Sequence, residues 1–164
     1  MHDLVSKLQS VPGAISAAVT SDLPASGAAR VSLHIQGQPE PASNQALSAY
    51  DFVVSADYFH TAGISLLRGR VFTETDTRTT PRAILVNQKF AETLLNGGDP
   101  LGKQVRLEVN GGASDWGQIV GVVGNVKPFS QTSTEAPEVY ESYSQRPVSG
   151  FSVIVQTRSD PATL

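Results

Sequence analysis

The sequence predicts an α+β domain built on a mixed β-sheet. Strand-length segments, several of them alternating apolar and polar, outnumber helical ones. Helices and strands do not alternate one for one, as a doubly wound parallel sheet would require. No repeat recurs at a fixed period, which sets aside solenoids and propellers. The chain has 164 residues, 40% of them hydrophobic, enough for one domain or two small lobes with a real core.

The elements follow in order. Asp3 caps a first helix whose face is Leu4, Leu8 and Val11, and Pro12-Gly13 ends it. Residues 14–20 are small, apolar and partly β-branched, a strand. After a Ser/Gly/Ala loop at 24–28, residues 30–36 alternate: Val31, Leu33 and Ile35 oppose Ser32, His34 and Gln36. The two prolines within 37–44 mark a turn, and 47–55 is a strand with Tyr50, Phe52 and Val54 on one face. Ser55 is expected to cap a short helix through Thr61, stopped by Gly63. Arg68-Gly69-Arg70 reads as a turn, 72–81 as a polar loop and 82–86 as a buried strand. Asn87 is placed to cap a helix whose apolar face is Phe90, Ala91, Leu94 and Leu95; Asn96-Gly97-Gly98 ends it and Pro100 prevents its resumption. Residues 103–109 alternate again, and Asn110-Gly111 opens a hairpin loop reaching Asp115. Residues 116–126 form the most apolar strand, where Gly121 and Gly124 suggest a bulge or close backbone approach. The last strands are 138–143 and 151–157.

The formal net charge is −3, and charged residues make up 16%, below the roughly 25% of an average protein. That balance lacks the basic field of a nucleic-acid binder. There is no Cys, so disulfides, thiolate metal sites and Cys nucleophiles are excluded. No apolar run approaches the roughly 18 residues of a membrane span, and the N-terminus lacks a secretory signal's basic start and apolar stretch. Residues 159–164 read as the start of a helix that is cut short. The expectation is therefore a piece of a longer protein.

No set of residues points to a reaction. The run 121–127 has the glycines of a phosphate loop but lacks its Gly-Lys-Ser/Thr ending. Ser55, Asp57 and His60 lie within six residues of each other, whereas a Ser–His–Asp triad converges from different elements. His60 and His34 read as surface residues, and His2 sits at a fraying end. Glu74 and Asp76, beside Arg78, read as a solvated turn, short of the six to eight oxygens of a calcium site. Glu138 and Glu141 point to opposite faces of a strand and, with Glu135, do not converge. Trp116 reads as core. The expectation is no catalytic, metal or cofactor-binding residue and no cofactor, with ligand-binding residues unassigned.

Six stretches in order resemble one family. They are Val53-Val54-Ser55-Ala56-Asp57-Tyr58-Phe59; Gly63-Ile64-Ser65-Leu66-Leu67-Arg68-Gly69-Arg70-Val71-Phe72 with Asp76 following; Ala83-Ile84-Leu85-Val86-Asn87-Gln88-Lys89-Phe90-Ala91; Asp99-Pro100-Leu101-Gly102-Lys103; Gln118-Ile119-Val120-Gly121-Val122-Val123-Gly124-Asn125-Val126-Lys127; and Pro137 through Tyr140. The sequence resembles the extracytoplasmic, periplasmic core domain of MacB-like and FtsX-like ABC transporter permeases. The resemblance implies a porter-like α+β lobe, residues 1–67 and 135–164, with a smaller β-rich lobe inserted at 68–134. It implies a periplasmic place between the first two membrane helices of an inner-membrane permease. The implied partners are those flanking helices, an ABC ATPase domain or subunit, a second copy of the permease domain, and a periplasmic adaptor or outer-membrane duct. The implied role is to transmit ATP-driven motion for substrate export or partner activation, without enzymatic activity of its own. Two other readings stand beside it: a free-standing extracytoplasmic ligand-binding or sensory module, and a small hydrolase using His60 with Asp57.

Overall fold

The structure is a computed structural model, and it describes residues 7, 13–23, 28–39, 46–109, 111–126 and 135–158. The expected first helix at 3–11 and the helix start at 159–164 lie outside the described residues, Lys7 apart, which is helical. The described chain runs β1 (Ala14–Thr20), β2 (Arg30–Ile35), β3 (Leu47–Val54), α1 (Tyr58–Thr61), β4 (Leu66–Gly69), β5 (Ala83–Asn87), α2 (Gln88–Leu94), β6 (Gln104–Val109), β7 (Gly112–Ala113), β8 (Gly117–Val123), β9 (Glu138–Ser142) and β10 (Ser152–Thr157). The fold is α+β with one mixed sheet, as the sequence predicts.

The sheet closes on itself. Strand neighbours run β3–β2–β6–β8–β5–β9, and β9 returns to pair with β3. The β3–β9 and β5–β8 pairs are parallel; the others in the ring are antiparallel. The ring strands turn alternate residues inward, with the step broken in β8 by a bulge between Ile119 and Gly121. Val31, Leu33 and Ile35 of β2, Ala49 of β3, Ile84 and Val86 of β5, Val105 and Leu107 of β6, Ile119 and Val122 of β8, and Val139 of β9 form one buried cluster. Phe90 and Leu95, on and just after α2, complete it. The opposite faces of β3, β5 and β9 carry a second cluster, where Phe52, Leu85 and Tyr140 pack on Tyr58 and Phe59 of α1 and on Phe72. Its rings are ordered: Phe52 stacks on Tyr140 at 5.5 Å and Phe59 meets Tyr140 edge-on at 5.0 Å.

Strand β1 joins the ring through the single pair Thr20↔Val54 and otherwise pairs along its length with β10. These two strands form a ribbon that packs on the second cluster: residues 16–20 of β1 are buried, and Ala18 and Ile154 join Tyr58 and Phe59 of α1 there. The β2–β6 and β5–β9 pairings cross the expected lobe boundaries at 67/68 and 134/135, so strands from both sides share one sheet.

Local chemistry explains most boundaries. Asn87 caps α2, its Oδ1 accepting from the Phe90 N–H at 2.9 Å. Ser55 does not cap α1. Asp57 occupies that position without a side-chain bond, and Ser55 Oγ accepts from the Val19 N–H at 3.1 Å, joining β1 to the end of β3. The expected turn at 68–70 is the end of β4, which pairs with β8 and exposes all four residues, so it shows no alternation to read.

Close approach of β4 and the following residue to β8 fixes two glycines. A Cβ on Gly69 would lie 2.2 Å from the Val120 oxygen, at φ +76°, and one on Gly121 would lie 2.2 Å from the Arg70 oxygen. Gly124 differs from the expectation, because a Cβ there would meet the Ser65 oxygen at an ordinary 3.7 Å. Gly121→Ala is expected to cost roughly 2–3 kcal/mol and Gly124→Ala less than about 1 kcal/mol, measured by urea unfolding. Equal losses at the two positions would contradict this packing.

Candidate functional site

The inward faces of β3 and β9 are apolar except at Asp51 and Glu141. Asp51 alternates with Ala49 and Val53, and Glu141 with Val139. The parallel register Asp51↔Val139 and Val53↔Glu141 makes the two carboxylates diagonal neighbours. Both are buried, Glu141 to 1% exposure. Two arginines neutralise them. Arg82, just before β5, donates to Glu141 and to the Asp115 carbonyl. Arg146, in the turn after β9, donates to Asp51. Its Nε also lies 2.8 Å from Glu141 Oε1, a charge contact without hydrogen-bond alignment.

Gln145 extends the cluster. Its Oε1 accepts from the Ala83 N–H at 2.9 Å, and its Nε2 donates to the Pro81 carbonyl at 3.0 Å. Gln145 therefore fastens the β9–β10 turn to the entry of β5, and Arg146 fastens it to β3. Burial pushes the Asp51 carboxyl above its ordinary range, against the attraction of Arg146. Burial likewise lowers the Arg82 guanidinium. Two anions and two cations leave the cluster neutral, which is what allows it below the surface.

Two smaller polar groups flank the second core cluster. Glu138 accepts from the Tyr140 hydroxyl at 2.7 Å and from Asn87 Nδ2 at 3.0 Å. Burial pushes the Glu138 carboxyl up, and these two bonds only partly offset it. Asp76 is 4% exposed and accepts both Arg70 guanidinium nitrogens at 2.8 Å, together with the Thr73 N–H. Burial opposes its ionisation, but the Arg70 and Thr73 bonds outweigh it and hold the carboxyl below the ordinary range. Asp76 is therefore a buried staple of its loop, which corrects the reading as a solvated turn.

The other residues weighed from sequence stay apart. Asp57 and His60 are exposed, no hydrogen bond joins them among the described residues, and Ser55 Oγ is committed to Val19. His34 pairs with Glu108 at 2.9 Å on the outer face of the β2–β6 pair. Glu74 and Arg78 are exposed, and among the described residues no three His, Cys, Asp or Glu could hold a metal ion. Glu138 and Glu141 enter separate networks, as their opposite faces require, and exposed Glu135 accepts from Asn125. Trp116 is not core: it precedes β8 and is 40% exposed. Gly121 lies inside β8, while His2 and Lys127 lie outside the described residues. The buried ion cluster is what sequence reading missed. The signal was an acid set among apolar neighbours on each of two strands.

The family model for the MacB-like periplasmic core domain matches residues 5–163. The chain belongs to this family. Its fold is similar to the periplasmic region of MacB from Actinobacillus actinomycetemcomitans, at 17% identity and TM-score 0.64, covering 99% of this chain and 67% of that one. It is also similar to the extracellular domain of the noncanonic ABC-type transporter YknZ from Gram-positive bacteria, at 19% identity and TM-score 0.62, covering 96% and 72%. No curated protein matches the chain. As a MacB-like periplasmic core domain, it is an extracytoplasmic domain of an ABC transporter permease. No helix among the described residues is long and apolar enough to cross a membrane.

Arg146→Ala would leave Asp51 buried without its charge partner. It is expected to destabilise the fold by roughly 3 kcal/mol in urea unfolding, whereas Arg68→Ala, which breaks an exposed pair with Asp99, is expected to leave the midpoint unmoved. The raised Glu138 carboxyl means that the fold holds this proton more tightly than the unfolded chain. Its contribution to stability is present below the ordinary carboxylate range and is lost as pH rises through the folded value. In thermal unfolding from about pH 4 to pH 7, wild type is therefore expected to lose ground steadily to Glu138→Gln. A constant gap would show that Glu138 titrates normally.

Proposed function

We propose that this domain transmits ATP-driven motion in an ABC transporter permease, moving outside the membrane to drive substrate export or to activate a partner. One observation carries the reading beyond family membership. The chain enters along β1 and leaves along β10, and the two strands meet at Ala14↔Thr157, with the Arg158 N–H donating to the Gly13 carbonyl at 3.1 Å. Segments on both sides of the fold thus attach at one end of one ribbon. Displacement of those segments together would reach the ring through the other end of the ribbon.

The proposed machine places the flanking membrane helices on either side of this chain, an ATPase domain or subunit at the cytoplasmic face, and a second copy of the domain opposite. An adaptor or outer-membrane duct would take what is propelled. In this reading the domain itself makes and breaks no bonds; the bistable element is the contact between copies.

The test uses the full permease with its ATPase. This chain has no Cys, so Glu92→Cys supplies its single label site, on the exposed side of α2, in a permease whose cysteines elsewhere are replaced by Ser. Electron–electron distances between two labelled copies are expected to differ between the nucleotide-free state and the ATP-bound, vanadate-trapped state. Identical distance distributions in a permease that hydrolyses ATP would overturn the proposal. So would a gene product with no apolar span beside this domain.

A further inference from the structure

The outer face of the β2–β6 pair carries an arginine, Arg106, whose guanidinium has no acceptor among the described residues. His34 and Arg106 sit directly opposite each other in the register. Glu108, two residues along β6 on the same face, is the nearby acid, but His34 Nε2 holds its Oε1 at 2.9 Å. Among the described residues Arg106 makes no hydrogen bond or ion pair, and its Nε is shielded from water without an acceptor. Its guanidinium instead lies over the Trp116 ring, 5.1 Å from the ring centre. The two line a shallow cleft of about 180 Å³ with His34, Gln36, Gln38 and Leu47.

An open guanidinium invites a planar anion, because its fork of N–H donors fits a carboxylate in two parallel bonds. Trp116 holds one face of the guanidinium, which fixes the plane in which the donors point. Arg106 and Glu108 balance in formal charge, but Glu108 is engaged by His34 Nε2, so the guanidinium keeps its N–H donors open. A single open guanidinium suits a singly charged carboxylate better than a doubly charged phosphate, which normally recruits several cations. The volume is below the roughly 300–1,000 Å³ of pockets that enclose a small-molecule ligand, and suits a single side chain. Arg and Trp are also the residues that dominate protein–protein contact energies when a partner covers them.

We propose that this cleft receives an Asp or Glu side chain from the surface of a partner protein, with Arg106 as its charge partner and Trp116 as the shelf that orients Arg106. The occupant is set by the match between the open guanidinium fork and a carboxylate's two oxygens. The site is separate from the buried ion cluster, and its occupancy does not depend on whether the domain transmits force.

Trp116 is the sole tryptophan of the chain, so its fluorescence and its single indole N–H resonance report on this cleft alone. The probes are acetyl-Ala-Glu-Ala-amide, its Gln counterpart, sodium acetate and inorganic phosphate, each titrated into the 164-residue chain. The Glu peptide is expected to give a saturable change and the Gln peptide none. Arg106→Gln is expected to abolish the response. Arg106→Lys keeps the charge and stem but not the fork, and is expected to weaken binding roughly tenfold. The Arg106 variants are expected to fold with only a small shift in unfolding midpoint, since the side chain's one internal contact is its stack on Trp116, and Arg106→Lys serves as the test if Arg106→Gln fails to fold. An equal response to both peptides, or a response surviving Arg106→Gln, would overturn the proposal. Tighter binding of acetate or phosphate than of the Glu peptide would assign the cleft to a free anion and overturn it too. No saturable response to the Glu peptide would refute it outright.

Discussion

The fold depends on β9 having two partners. It pairs in parallel with β3 and antiparallel with β5, and without it the sheet would be an open strip from β3 round to β5. Closure removes two edges at once, and edges are where a sheet recruits unwanted neighbours. It also gives both faces of β9 a task. Val139 and Glu141 turn into the ring, while Glu138, Tyr140 and Ser142 turn toward α1 and β3's outer face. A strand buried on both faces is normally all apolar. This one carries two glutamates, and each is answered by dedicated donors.

Those donors explain why the charged cluster sits inside the ring. A buried pair seldom stabilises a fold more than apolar residues of the same shape would, since desolvation cancels most of the attraction. What it does is make one arrangement of the chain much better than the others. Arg82 precedes β5, Asp51 lies in β3, Glu141 in β9 and Arg146 in the turn beyond. A register slip of one residue in β3 or β9 would turn its acid away from both arginines. The cluster thus favours one register of the β3–β9 pairing, which among the ring pairs has the longest stretch of chain to bring together.

Much of this was legible residue by residue, and the losses have physical causes. The alternation in 30–36 gave β2 because its outer face is wet, and Asn87 with Phe90 gave α2 because a cap and an apolar stripe are local. The mixed α+β class followed from strand patterns that outnumber helical ones, and the family from motifs in order. Strand β4 escaped because an exposed edge strand has no buried face to impose a period. Ring closure escaped because β3–β9 pairing is not written in either strand's pattern. Asp51 and Glu141 were visible as acids in apolar surroundings, but Arg82 and Arg146 are close to them only in the folded chain. Trp116 misled because a lone aromatic before an apolar strand looks like core, and nothing nearby in sequence shows that Arg106 lies across the sheet to stack on it. The lobe boundaries at 68 and 134 came from the resemblance alone, and hydrogen bonding runs across both.

The ribbon sets a mechanical condition on the proposed role. A two-stranded antiparallel ribbon pulled apart at one end breaks its bonds one pair at a time, which takes little force. Moved as a unit, it passes the whole displacement to its base. Here the base is short but doubly tied: Ser21 exchanges bonds with Val53, donating its N–H to the Val53 carbonyl and accepting at Oγ, and Ser55 does the same with Val19. The Tyr143 N–H adds a bond to the Val54 carbonyl from the β9 side, just before Gln145 engages the entry of β5 and Arg146 engages Asp51 of β3. The side-chain ties are therefore concentrated where ribbon meets ring, while the end where the flanking segments attach is held by the Ala14↔Thr157 pair and the Arg158–Gly13 bond. Such a part works only if those two segments move in concert, so the proposed role requires that the permease displace them together.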